Sequence, residues 1–176
     1  TNFSKEYKDN KTFWEVSNNP EMITLKPTLG CVANCLHCNP RSKKFDNEHI
    51  MSFSEYETLF EDFKRLGVKQ VCISGGEPLL YKDINNMVHK LSSLGIAVTL
   101  NTNGWLLTKK VLDELINSGL VGVNVSIDSP YPDVHNKLRG LNGLFEKTVG
   151  QLKECKESNN DFVLNIRMIL SRYTYK

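Results

Sequence analysis

The sequence predicts an α/β fold whose strands run parallel and curve into an incomplete barrel. Two observations predict it: strand-like and helix-like segments alternate five times along 176 residues, less the last helix, and every strand-like segment is polar on one face. A β-α rhythm with right-handed crossovers makes a parallel sheet. A parallel sheet covered on both faces would be apolar throughout. Here Val121, Val123, Val125 and Ile127 alternate with Gly122, Asn124, Ser126 and Asp128, and alternate residues of a strand face opposite sides. A barrel with helices outside and a wet lumen accounts for this, although complete eight-unit barrels need ~250 residues and fill the lumen with branched apolar side chains. The competing reading is a one-layer α/β fold with its polar face in solvent.

The elements follow in order. Residues 22–26 form the first strand, with Thr24 and Lys26, then Thr28, on the polar side. The spacing of Tyr56, Leu59, Phe60, Phe63 and Leu66 predicts a helix over 54–66, opened by a Ser54/Glu57 capping box and closed by Gly67. Strand 68–74 places Cys72 and Ser74 inward. Ile84, Met87, Val88, Leu91 and Leu94 mark a helix ending at Gly95, before strand 96–100 and its polar continuation Thr99, Asn101 and Asn103. Thr108 caps a helix with Val111, Leu112, Leu115 and Ile116, which Gly119 ends before strand 121–127. Phe145, Val149, Leu152 and Cys155 predict a further helix, and 162–170 the last strand, with Asn165 and Arg167 on its polar face. Residues 1–20 read as a lead-in segment and 21–176 as the barrel core. The connection from 39 to 51, with Arg41, Lys43 and Lys44, is long for a βα loop, and function is the usual reason for such length.

Composition excludes several classes. An apolar content of 40% with 24% charged residues suits a globular domain. The 22 basic and 20 acidic residues are interspersed, which gives no electrostatic case for nucleic acid or an acidic membrane. No apolar run approaches the ~18 residues of a membrane span, and the amino end lacks a signal-peptide core. A cytoplasmic location is the default. Five cysteines, three of them too tightly clustered for a disulfide framework, point to a reducing compartment. The chain starts at Thr1 and stops at Lys176 just after a strand, so it reads as a fragment.

The three clustered cysteines are Cys31, Cys35 and Cys38, directly after the first strand. An iron–sulfur cube takes four thiolates, so a three-cysteine loop leaves one iron open, as catalytic metal sites do. Ligands of parallel α/β folds bind at the carboxyl ends of strands. Those ends here carry the cysteine loop, Gly75-Gly76-Glu77-Pro78, Asn101-Thr102-Asn103-Gly104 and Ser126-Ile127-Asp128-Ser129-Pro130. Such a rim suits a zwitterionic ligand: an ammonium on the Gly75 and Gly76 carbonyls and Glu77, a ribose hydroxyl pair on Ser126 or Asp128, a carboxylate on Arg139. His135 precedes Arg139 by four residues, so on a helix both face one way. Cys72 and Cys155 read as core residues, His49 and His89 as surface or packing histidines, and Phe13, Trp14 and Trp105 as packing groups.

These motifs resemble those of the radical S-adenosylmethionine (radical SAM) family: Cys-x3-Cys-x2-Cys after strand one and Gly-Gly-Glu-Pro after strand two. The resemblance runs from about 21 to 170 and implies a partial TIM-like (β/α)6 barrel with five of its strands visible and the sixth, with any carboxyl extension, absent. It implies that Cys31, Cys35 and Cys38 hold a [4Fe–4S] cluster whose open iron is chelated by SAM. Reduction of the cluster then cleaves SAM to a 5′-deoxyadenosyl radical that abstracts hydrogen from an organic substrate, with the electron supplied by a donor such as flavodoxin or ferredoxin. His37 departs from the aromatic residue frequent at its position but packs against adenine; Ser126 contacts the ribose, Arg139 the carboxylate and Arg167 the cofactor from strand five. Thr102-Asn103-Gly104 and the Asp-Ser-Pro run with His135 and Arg139-Gly140 look most like the subgroup with SPASM or twitch extensions. The expected substrate is a peptide or protein, the alternative a small molecule of cofactor or sugar metabolism. Two readings of other classes stand beside these. Cys31, Cys35, His37 and Cys38 are an acceptable zinc set, and the fold could sense SAM without catalysis.

Overall fold

Five strands pair in chain order into one parallel sheet: β1 (Met22–Leu25), β2 (Gln70–Ile73), β3 (Ala97–Thr102), β4 (Leu120–Ser126) and β5 (Val163–Arg167). An order without reversal is that of a singly wound barrel wall; a doubly wound sheet turns back at a switch point. The computed structural model describes residues 19–38, 50–155 and 162–174. Nearly all of the lead-in segment, and Phe13, Trp14, Arg41, Lys43, Lys44 and His49, lie outside the described residues.

Helices α1 (Phe53–Arg65), α2 (Ile84–Ser93), α3 (Lys109–Asn117), α4 (Pro132–Arg139) and α5 (Leu144–Cys155) make the crossovers, with a 3₁₀ turn at Pro78–Leu80. Most of the helical stripes bury as their spacing demands, but Leu66 is exposed and α5 buries Leu144, Thr148 and Cys155 while Phe145, Val149 and Leu152 are only half-buried. Phe60, Met87, Leu91 and Leu115 have no accessible surface and meet Val71, Ile73, Val98 and Leu100 of the sheet in one core. Each such side chain is worth about 1.5–3 kcal/mol of burial. Gly67, Gly95 and Gly119 follow helix ends with positive φ, as expected.

Three elements differ from expectation. Helix α1 is capped one Ser-x-x-Glu frame earlier: Glu55 accepts from the Ser52 N–H and hydroxyl, both at 2.7 Å. Strand β4 begins at Leu120, and a register shift leaves Val121 opposite no residue of β3, so Val121 is exposed while Leu120 enters the core. Helix α4 is a separate element whose buried face is His135, Leu138 and Arg139.

The polar face is knit together across strands. Thr24, Cys72, Thr99 and Gly122 stand in one lateral row, and Asn101, Asn124 and Asn165 in the next. Asn165 donates to Asn124 at 3.2 Å and Asn124 to Asn101 at 2.8 Å, an amide ladder spanning β3 to β5. None of the helices among the described residues is long and apolar enough to cross a membrane.

Candidate active site

The cysteine loop is gripped by backbone on both sides. On one side Gly76 donates to the Thr28 carbonyl at 2.9 Å and Glu77 to that of Gly30 at 2.7 Å. A Cβ at residue 75 would overlap the Thr28 carbonyl oxygen, and one at residue 76 those of Leu29 and Gly30. The glycine pair is there because two backbones meet. On the other side Asn34 donates to the Arg139 carbonyl at 3.0 Å and Leu36 to that of Leu138 at 2.9 Å, at the carboxyl end of α4.

Within this grip Cys31 is buried and Cys35 and Cys38 are half-buried. Burial pushes the Cys31 thiol up against the lowering effect of the Ala33 N–H; burial raises Cys35 likewise, opposed by the Arg139 charge. Two donors address these sulfurs: Asn103 Nδ2 lies 3.7 Å from Cys31 Sγ and Arg139 Nη1 4.0 Å from Cys35 Sγ. Hydrogen bonds of this kind suit thiolate ligands.

Two carboxylates expected to meet a ligand are instead enclosed. Glu77, fully buried, takes the Thr102 hydroxyl at 2.7 Å and the Leu79 N–H at 3.2 Å on Oε1, and the Asn103 N–H at 2.9 Å on Oε2. It bridges the ends of β2 and β3 rather than opening onto the rim. Asp128, also fully buried, takes Arg139 Nε at 2.6 Å on Oδ2, and Arg139 Nη2 at 2.9 Å and the Ile169 N–H at 3.0 Å on Oδ1. Three donors occupy its carboxylate, and the residue borders a cavity it shares with His37. Burial raises Asp128, but the Arg139 hydrogen bonds and the Ile169 N–H outweigh it and hold the carboxyl below its ordinary range. Arg139 Nη1 is directed at Cys35 Sγ, 4.0 Å away.

Burial pushes the Glu77 carboxyl up from 4.5 to about 7, against the Asn103 N–H, the Thr102 hydroxyl and the Leu79 N–H. Folding therefore takes up a proton at Glu77 between these values. Its contribution to stability is complete below pH 4.5 and is lost as pH rises to about 7. Urea midpoints followed over this window should fall more steeply for the unsubstituted protein than for Glu77→Gln. Parallel profiles would show an ordinary carboxylate.

The remaining candidates gather less tightly. Ser126, half-buried, pairs in register with exposed Arg167 at the β4–β5 rim. His37 is exposed on the surface, but partial desolvation of its ring and then the Arg139 charge lower its pKa from the ordinary histidine value. It borders a cavity of about 240 Å³ with Asp128, Leu138, Ile169 and Tyr173. His135 shares the buried face of α4 with Arg139, as the four-residue spacing predicts. Its buried Nδ1 accepts the Asp128 N–H at 3.1 Å, which fixes the turn carrying Arg139's partner. Thr102 and Ile169 went unnoticed as partners of the two carboxylates, since only the fold brings them near.

Among the described residues no three His, Cys, Asp or Glu side chains converge tightly enough for a single metal ion. A four-iron cluster spreads its ligands around a larger body, and three thiols with amide and guanidinium donors beside them fit it.

A family model described as the Radical SAM superfamily matches residues 25–176. The chain belongs to the radical SAM superfamily, whose members use a [4Fe–4S] cluster and SAM. It is 29% identical over 150 residues to an AdoMet-dependent heme synthase of Methanosarcina barkeri, covering 85% of this chain and 43% of that one. It is 34% identical over 136 residues to a probable GTP 3′,8-cyclase of Pyrobaculum aerophilum, covering 77% and 44%. Among solved structures, SuiB of Streptococcus suis superposes with TM-score 0.74 at 22% identity, over 97% of this chain and 38% of that one. The chain spans less than half the length of each of these relatives. The fold is thus the partial TIM-like barrel of this family.

Proposed function

We propose that this chain is the catalytic core of an enzyme that reductively cleaves SAM and abstracts hydrogen from an organic substrate. The observation that carries the reading is the three-thiol loop gripped between Gly75-Gly76 and the end of α4, with Asn103 and Arg139 directed at two of its sulfurs. Cys31, Cys35 and Cys38 would hold the [4Fe–4S] cluster. Such a cluster, once reduced by a donor such as flavodoxin or ferredoxin, would supply the one electron that splits the SAM sulfonium into methionine and a 5′-deoxyadenosyl radical. The chain's own residues bind and orient. Gly75 and Gly76 offer backbone carbonyls to the ammonium, Arg139 its positive charge to the carboxylate, Ser126 its hydroxyl to the ribose, and His37 a ring face to the adenine. Arg167, beside Ser126, adds a strand-five contact. Glu77 and Asp128 act by holding Asn103 and Arg139 in place.

For the substrate we infer a small polar organic molecule, placed against the Asn101–Asn124–Asn165 ladder. The curated relatives named above, a heme synthase and a probable GTP cyclase, favour it at 29% and 34% identity. The Cys-Leu-His-Cys loop and the Asp-Ser-Pro run favour peptide modification with a SPASM or twitch extension, and SuiB has been solved with its precursor peptide SuiA, though at 21% identity. Anaerobic incubation with SAM and dithionite tests the reaction. The reconstituted protein is expected to release 5′-deoxyadenosine and Cys35→Ala to release none. Binding of SAM without 5′-deoxyadenosine in a fully loaded protein would instead identify a sensor.

A further inference from the structure

A carboxamide has one acceptor oxygen and two N–H donors, and the surroundings of Asn103 decide which end points where. Its Oδ1 accepts the Trp105 N–H at 2.8 Å, closing an Asx turn at the end of β3. That contact turns Nδ2 toward Cys31 Sγ, 3.7 Å away. The backbone around it is fixed as well. The Asn103 N–H is tied to Glu77 and its carbonyl accepts the Thr148 hydroxyl at 3.3 Å, while a Cβ at Gly104 would overlap Thr148. Asn103 is 7% exposed, so its amide has little access to solvent.

A hydrogen bond to a ligating sulfur draws charge from it and favours the state with one more electron, one of the factors that set iron–sulfur potentials. We propose that the Asn103 carboxamide donates to the Cys31 thiolate and raises the reduction potential of the cluster held by this loop. The inference rests on Cys31 being a cluster ligand, as read above. The step concerned is the uptake of one electron from the external donor; no bond forms or breaks and the amide keeps its proton throughout. Asn103 is thus a positioning residue acting through Cys31, and it makes the cluster easier for a donor to reduce.

Two substitutions separate this role from the turn. Asn103→Ser is neutral and can still accept the Trp105 N–H, but is too short to reach the sulfur. Asn103→Asp keeps size and acceptor while replacing the donor with a charge. Each is reconstituted anaerobically in the full chain, its iron and sulfide are counted, and its cluster is titrated against potential by electron paramagnetic resonance. Asn103→Ser is expected to load like the unsubstituted protein but to show about a tenfold lower ratio of reduced to oxidised cluster at the same potential, a shift of about 59 mV for one electron. Asn103→Asp is expected to shift further the same way, and carries the comparison if the serine variant does not fold. Full loading with an unchanged midpoint overturns the inference alone. Failure of the unsubstituted protein to take up iron and sulfide overturns the functional reading and the inference with it.

Discussion

Asp128→Ala is expected to lower the free energy of unfolding by about 3–5 kcal/mol, the usual result of removing one partner of a buried ion pair. The Arg139 and Asp128 side chains are 10% and 0% exposed, and the pair is bidentate. Without the carboxylate the guanidinium would keep its charge in a buried site that has lost its ion-pair partner. The Ile169 N–H would lose its acceptor too, loosening the segment after β5. Urea unfolding measures the loss, and amide exchange at Ile169 should accelerate with it. A cost within 1 kcal/mol would mean that water reaches Arg139 and that the pair is not the clamp described above.

Gly76→Ala is expected to cut the affinity for iron about 10- to 100-fold, the scale seen when a residue supporting the ligands is changed. The added methyl would sit on the Leu29 and Gly30 carbonyl oxygens, which are backbone and cannot swing aside. Overpacking of this kind also destabilises by about 1–3 kcal/mol. Gly67→Ala is the control: it is strained at φ +78 but meets nothing within 4 Å. It should cost stability, about 1 kcal/mol, and load iron normally. Equal loading of the two variants would show that the Gly75-Gly76 contact does not place the cysteine loop.

The fold was largely legible because its signals are local and repeated. Apolar spacing marked four helices, and the alternation along β3 and β4 marked the face on which the asparagine ladder stands. Helix α4 escaped because two of its three buried residues, His135 and Arg139, are polar and leave no apolar period. The α1 cap slipped by two residues because Ser52-x-x-Glu55 and Ser54-x-x-Glu57 overlap, and only the structure shows which one starts the helix. Val121 looked like a core residue because alternation cannot register a bulge.

The motifs name candidate site residues, but not the contacts those residues make. Glu77 and Asp128 stand in the motifs that named them, yet their partners lie across the fold, at Thr102, Asn103, Arg139 and Ile169. A motif places a carboxylate on the rim; whether it faces a ligand or a neighbouring strand depends on packing. The donors toward the cysteine sulfurs were hidden for the same reason.

The central claim is that Cys31, Cys35 and Cys38 hold a [4Fe–4S] cluster with one iron left for SAM. Electron paramagnetic resonance of the reduced, anaerobically reconstituted protein, recorded with and without SAM, tests it most directly. The account predicts a [4Fe–4S]⁺ signal that changes shape when SAM is added and does not form in Cys31→Ala. A spectrum indifferent to SAM, or no iron–sulfur signal from a folded protein, would contradict it.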